Sequence, residues 1–214
     1  MEDRKPAPAT TGQVIHWAFW YDWLIWAITL GQERAFREKQ IELAHLAPGE
    51  SVLDVGCGTG SLAMVAKERV GPTGKVSGID ASPEMISRAR KRARKAGAAV
   101  SFENAVVEAI PFPDASFDVV VSTVMLHHLP GDARHQCLSE IRRVLKPGGR
   151  LIIVDFGGSE KQKHSWTARY HKHAHFDVRK VIPELSEVGL RDVESGELGM
   201  RDLWFVRASA PAAA

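Results

Sequence analysis

Cysteine is scarce in this chain: Cys57 and Cys137 are the only two in 214 residues. Two thiols do not make a disulfide framework, so a reducing, cytoplasmic setting is expected. An excess of one charge is also missing. The 28 Lys and Arg nearly balance the 26 Asp and Glu, for a net charge of +2, which argues against nucleic acid as a partner. The basic residues do cluster between Arg88 and Lys95, and that run reads as a solvated helix face. No apolar run reaches the roughly 20 residues that a membrane span requires. The nearest candidate, Val14 to Leu30, is shorter and carries Asp22 at its middle. Met1 to Gly12 is charged, then rich in proline and threonine, with no apolar core, so no signal peptide is expected. No internal repeat is present.

With 44% hydrophobic and 25% charged residues, the chain has enough apolar surface to build one α/β domain with a full core. Its organising stretch is Val52-Leu53-Asp54-Val55-Gly56-Cys57-Gly58-Thr59-Gly60. Val52, Leu53 and Val55 are an apolar, partly β-branched run, as an internal parallel strand needs. Glycine at every second position then keeps side chains off the backbone and tolerates positive φ. A ligand can lie against the main chain there, facing the N–H groups of the helix that follows. Asp80 ends the next short strand, about 20 residues past the glycines, where a carboxylate accepts hydrogen bonds from a ribose diol. The unit is therefore adenosine-binding. The spacing is G-x-G-x-G, not the G-x-G-x-x-G of dinucleotide sites. Asp54 would face a pyrophosphate badly and suits a ligand with an ammonium group. Both features speak against a nicotinamide-dependent oxidoreductase.

Taken in order, residues 1 to 12 read as a disordered start. Val14 to Leu30 holds four of the six tryptophans, Trp17, Trp20, Trp23 and Trp26. They step by three, so on a helix they spiral and form no single stripe. The segment is either core, a roof over the ligand pocket, or a surface touching a bilayer interface, where tryptophan is favoured. Gln32 to Leu46 is a charged amphipathic helix. Residues 1–46 thus form an aromatic-rich helical cap, and 47–214 the ligand-binding domain of a single compact unit. Strands are predicted at Ser51–Val55, Lys75–Ile79, Val100–Glu103, Phe117–Ser122 and Arg150–Asp155. Helices are predicted from Gly60 to Val70, from the Ser82-Pro83 cap to Ala96, and from Gly131 to Leu145. Lys146-Pro147-Gly148-Gly149 reads as a sharp turn. Val178 to Val188 is a last helix that Pro183 either kinks or begins. Arg191–Ser195 and Leu203–Arg207 are two final strands. Strands alternating with helices predict a parallel sheet covered on both faces.

Five segments, VLDVGCGTG (52–60), GIDASPEMI (78–86), IPFPDASFDVV (110–120), LHHL (126–129) and RRVLKPGGRLIIVDF (142–156), resemble a class I S-adenosylmethionine-dependent methyltransferase. The similarity is greatest to the small-molecule branch that includes the ubiquinone/menaquinone C-methyltransferases. The resemblance implies a Rossmann-like, doubly wound, mostly parallel seven-stranded sheet, closed by an antiparallel hairpin. It implies S-adenosyl-L-methionine as cofactor, held by Asp54, Gly56, Gly58, Gly60 and Asp80. Ala81 and Met85 would flank the adenine. Where relatives carry Asp or Asn against the adenine amino group this chain has Val106. That leaves the Val107 N–H, with Asn104 and Glu108 as weaker substitutes. Ser122 would meet the methionine part, and Tyr21, in a Tyr-Asp pair, would close over the cofactor.

Methyl transfer from a sulfonium is an in-line displacement, so alignment and exclusion of water matter most. His127 and Asp155 are the candidate catalytic residues, since both fall at the carboxyl end of the sheet. His164, His171, His173 and His175 lack a partnering carboxylate or cysteine pattern, so a lid is expected there and no metal. The expected acceptor is a small or lipophilic molecule, a quinol-like carbon or hydroxyl favoured, with a phospholipid or small amine as the alternative. A cofactor-binding protein without transferase activity is the third reading. Peripheral membrane contact would run through residues 14–30.

Overall fold

The structure, a computed structural model, describes residues 32–158, 176–200 and 202–213. Helix α1 (Glu33–Leu43) precedes strand β1 (Ser51–Val55), and α2 (Ser61–Val70), β2 (Lys75–Asp80), α3 (Pro83–Ala96) and β3 (Val100–Asn104) follow. Then come β4 (Phe117–Thr123), a 3₁₀ turn (Leu126–His128), α4 (Gly131–Val144) and β5 (Leu145–Phe156). A second 3₁₀ turn (Val178–Val181) leads into α5 (Ile182–Glu187), β6 (Arg191–Glu197) and β7 (Leu203–Ser209).

The strands form one seven-stranded sheet in the order β3-β2-β1-β4-β5-β7-β6. β1 to β5 run parallel, and β7 pairs antiparallel with both β5 and β6. The chain winds outward from β1 to β3, then restarts on the other side of β1 with β4. The crevice at the carboxyl ends of β1 and β4 is therefore the switch point at which open α/β sheets bind ligands.

Alternation along β1 divides the core. Leu53 and Val55 face one side with Leu138 and Ile141 of α4, whereas Val52 faces the other with Leu62, Ala63 and Ala66 of α2. Each of the Val, Leu and Ile side chains contributes about 1.5–3 kcal/mol by leaving water. Phe36 and Ile41 of α1 join the second cluster. Arg150 fastens that helix to the sheet. Its guanidinium donates to the carbonyls of Ala44 and His45 at 2.7 Å each and forks onto Glu50, so the carbonyls at the end of the helix are not left bare.

The local signals act as expected at several points. Ser82 Oγ accepts the Met85 N–H at 3.4 Å, Pro83 opens α3, and Gly97 closes it at φ +62°. Pro183 lies in the first turn of α5, so it begins the helix and does not kink it. Two expectations differ. α1 stops at Leu43, short of Leu46, because His45 takes φ +47°. The turn expected at Lys146–Gly149 lies inside β5. Leu145 pairs with Phe117, the ladder shifts register before Val119, and Ala210 N–H donates to Gly149 O at 2.7 Å. Lys146 to Gly149 have no partner in either ladder and Gly148 takes φ +73°, so the Pro-Gly-Gly sequence still bulges out of the strand as a local turn.

Candidate functional site

β1 runs into the glycine loop, and the loop is held from below: the N–H groups of Gly56 and Cys57 both donate to Ile79 O at 2.9 Å. Gly56 has φ +74° and Gly60 φ +80°. A Cβ at Gly56 would stand 2.4 Å from Met125 Cγ, and one at Gly60 2.7 Å from Phe102 Cζ. Glycine is needed at both for conformation and for space. Gly58, at φ +53°, donates its N–H to Asp80 Oδ2 at 2.9 Å.

Asp80 ends β2 with Oδ1 accepting the Ser82 N–H at 2.8 Å. Asn104 donates its side-chain amide to the Asp80 carbonyl at 2.9 Å, so its amide is engaged in holding the strand tip. Burial pushes the Asp80 carboxyl up, against the lowering pull of the Ser82 and Gly58 N–H groups. Each carboxylate oxygen keeps acceptor capacity for a ribose hydroxyl. Ala81 is half-buried beside it, and Met85 is buried in the first turn of α3. The side chains of Val106 and Val107 are both buried.

Asp54 is a buried acid at the end of β1. It is 2% exposed, and its Oδ2 has no hydrogen-bond partner. Burial pushes its carboxyl up to about 7; the Arg37 charge and the Ala63 N–H pull down, and the Asp80 charge pushes up. Ser122, paired with Val55 at the β4 tip, also has a buried Oγ without a partner. Two orphaned buried polar atoms beside a glycine cradle fit the amino-acid end of S-adenosylmethionine, and Asp80 fits its ribose.

Beyond β4, Val124 adopts φ +51° with its N–H on Val154 O at 2.7 Å. A β-branched residue there is an outlier that costs on the order of 1–3 kcal/mol. The turn it makes sets Met125 against Gly56 and brings His127 to Asp155. His127 Nδ1 is 2.8 Å from Asp155 Oδ1, and the His127 N–H donates to Asp155 Oδ2 at 3.3 Å. The Phe156 N–H also donates to Oδ1, at 2.9 Å. Asp155 is fully buried and His127 is 8% exposed. The imidazole is boxed by His128, Phe156 and Phe176, with ring centroids at 3.9, 5.0 and 6.2 Å. A carboxylate on Nδ1 fixes the proton there and places the basic lone pair on Nε2.

Tyr21, the tryptophans of residues 14–30, and His164, His171, His173 and His175 lie outside the described residues. Among the described residues, no helix is long and apolar enough to cross a membrane, and no group of three His, Cys, Asp or Glu could hold a metal ion. Cys57 and Cys137 are buried and free. One residue near the loop escaped the sequence reading: Arg37, 4% exposed on α1, with Nε 3.1 Å from Ser61 Oγ. The signal for it is its place on the buried stripe Phe36, Arg37, Gln40, Ile41.

Residues 52–149 match the family model described as a methyltransferase domain. A ubiquinone/menaquinone biosynthesis C-methyltransferase of Xanthomonas oryzae pv. oryzae is 34% identical over 178 residues, covering 82% of this chain and 67% of that protein. Another, from a Shewanella species, is 31% identical and covers 92% of this chain and 76% of its own length. Among solved structures, a SAM-dependent methyltransferase from Aquifex aeolicus superposes with a TM-score of 0.70 at 28% identity, covering 81% of this chain and 88% of that one.

Proposed function

The chain belongs to the class I S-adenosylmethionine-dependent methyltransferases, and we propose that it methylates a small lipophilic acceptor, a quinol-like molecule, at a ring carbon or hydroxyl. The observation that carries this reading is the buried pair of His127 and Asp155, 2.8 Å apart at the carboxyl end of the sheet. When bound, the cofactor supplies its methyl group as a sulfonium substituent. The work left to the chain is to hold the acceptor in line, keep water out and take one proton. A phenol or the carbon beside it must lose a proton to be methylated. Nε2 of His127 can accept it, because Asp155 stabilises the imidazolium that results. An amine acceptor needs only to be neutral, so a buried base favours the quinol-like reading over a phospholipid or small amine. The ubiquinone/menaquinone biosynthesis and C-methylation named for the Xanthomonas and Shewanella relatives support the same class.

The test is a methyl-transfer assay with methyl-labelled S-adenosylmethionine and a short-chain demethylmenaquinol, followed by phase separation and mass spectrometry. Label in the organic phase, on a ring carbon or oxygen, is expected. His127→Gln should lower kcat by about 10²- to 10⁴-fold with S-adenosylhomocysteine binding unchanged. Transfer only to amine headgroups, or full turnover by His127→Gln, would remove the proposal.

A further inference from the structure

The tip of β5 is tied down by a cluster of side chains that proton transfer does not use. Two residues past Asp155, Gly157 forms an isolated antiparallel bridge with Asp177. The Trp204 indole lies against the Gly157 backbone, filling the place of a Cβ. Arg179 closes the cluster. Its guanidinium carbon is 4.3 Å from the centroid of the Trp204 ring. Its Nη2 donates to Gly157 O at 2.9 Å and to Asp177 Oδ2 at 2.8 Å, and its Nε and N–H donate to Asp177 Oδ1 at 2.9 and 3.0 Å. An arginine with 41% of its side chain exposed adds little stability through an ion pair alone. What these bonds do is fix the chain at Phe176 and Asp177 against the strand tip.

Phe176 has its ring centroid 6.2 Å from that of His127. Arg134, forked onto Glu184, sets its guanidinium carbon 5.9 Å from the same ring. Phe156 meets the imidazole at 5.0 Å. Phe176 packs on the core cluster of one sheet face and Phe156 on that of the other. Both rings are half-buried, whereas the base they meet is buried. A molecule that gives its proton to Nε2 lies within about 3 Å of it, and so within reach of both rings.

We infer that Phe176, together with Phe156, is the wall that selects a flat aromatic acceptor, and that Arg179 positions this wall. The inference deepens the quinol-like reading and rests on it. Ring against ring adds to affinity beyond the area buried. An ammonium group is also drawn to aromatic faces, but here the Arg134 charge beside Phe176 repels one.

Calorimetry on the protein saturated with S-adenosylhomocysteine tests it, with menadione as the aromatic probe and choline as the cationic one. Phe176→Leu should weaken menadione binding by about 3- to 10-fold, the scale of one aromatic pair, and Phe176→Tyr should restore it. Arg179→Met should cause a similar loss, and the double variant should lose no more than Phe176→Leu alone. S-Adenosylhomocysteine affinity, measured first, should stay within about twofold of wild type and reports that each variant is folded. Equal menadione affinity in wild type and Phe176→Leu, no menadione binding by wild type, or choline bound in its place would overturn the wall. Additive losses in the double variant would remove Arg179 from it. No methyl donor is in the cell, so the two failures separate. Ring methylation with a Phe176-independent affinity sinks this inference alone, and Phe176-dependent menadione binding without ring methylation sinks the transfer reading alone.

Discussion

Asp54 and Asp155 invite comparison. Each is the penultimate residue of a parallel strand, β1 and β5, and each is buried. Asp155 is surrounded by donors: the His127 ring, the His127 N–H and the Phe156 N–H. Asp54 has the Ala63 N–H on one side and nothing on Oδ2. Burial alone therefore does not tell what a strand-end acid does. A satisfied carboxylate works through its internal partner, here by orienting an imidazole. An unsatisfied one is held at a cost for a partner that comes from outside.

The largest effect should come from disturbing the satisfied acid. Asp155→Asn removes the charge that holds the His127 tautomer, and kcat should fall by about 10²- to 10⁴-fold; steady-state kinetics would check it. The variant should also melt lower, because donors that bonded a carboxylate now face an amide.

Asp54→Asn should do the opposite to stability. The Asp54 carboxyl is pushed up to about 7 from an ordinary 3.8. Between those values the folded protein holds a proton that the unfolded chain has released, so stability from this group is full below pH 4 and is lost as pH rises through 7. Ligand-free Asp54→Asn should therefore be the more stable protein at pH 8, by at most about 4 kcal/mol, while its S-adenosylhomocysteine affinity drops. Thermal melts across pH 4–8 decide the first point and calorimetry the second. A variant that melts lower at pH 8 would mean that Asp54 is satisfied after all.

Asp80 sits between the two cases, part satisfied and part available. Asp80→Ala should weaken cofactor binding by about 1.5–3 kcal/mol, and unchanged affinity in the folded variant would refute the ribose assignment. The smallest effect belongs to Asn104→Ala, which removes one of two bonds to the Asp80 carbonyl, the Ala105 N–H donating the other at 3.2 Å. It should cost about 0.5–1.5 kcal/mol of stability by denaturant titration, with affinity nearly intact.

What could be read from the sequence follows from how far its causes reach. The β1 run, the glycine spacing, Asp80 and the Ser82-Pro83 cap are set within a few residues, so their positions could be stated in advance. His127 and Asp155 could each be named, because both fall at the carboxyl end of a strand, but nothing in either segment says that they touch. Arg37 shows only weakly, through its place on the stripe Phe36, Arg37, Gln40, Ile41. On a helix of mixed charge it looks like a surface residue until Ser61, 24 positions away, closes over it. The reach of β5 back to Leu145 has a related cause: Pro147, Gly148 and Gly149 turn on local grounds, with Gly148 at φ +73°, and only the distant pairing of Leu145 with Phe117 extends the strand behind that turn. The amide of Asn104, weighed as an adenine contact, is spoken for by the Asp80 carbonyl.

The placement of β7 bears on synthesis. It lies between β5 and β6 in the sheet and pairs with β5 along seven positions, Arg150 to Phe156. Until Leu203–Ser209 has left the ribosome, β5 is a bare, strongly apolar edge ending at the strand tip that carries Asp155. A nascent chain in that state can dock with another copy as readily as with its own missing strand. β7 is thus the strand that shields the β5 edge, and slow decoding just before Leu203 should lower soluble yield more than the same pause before β2.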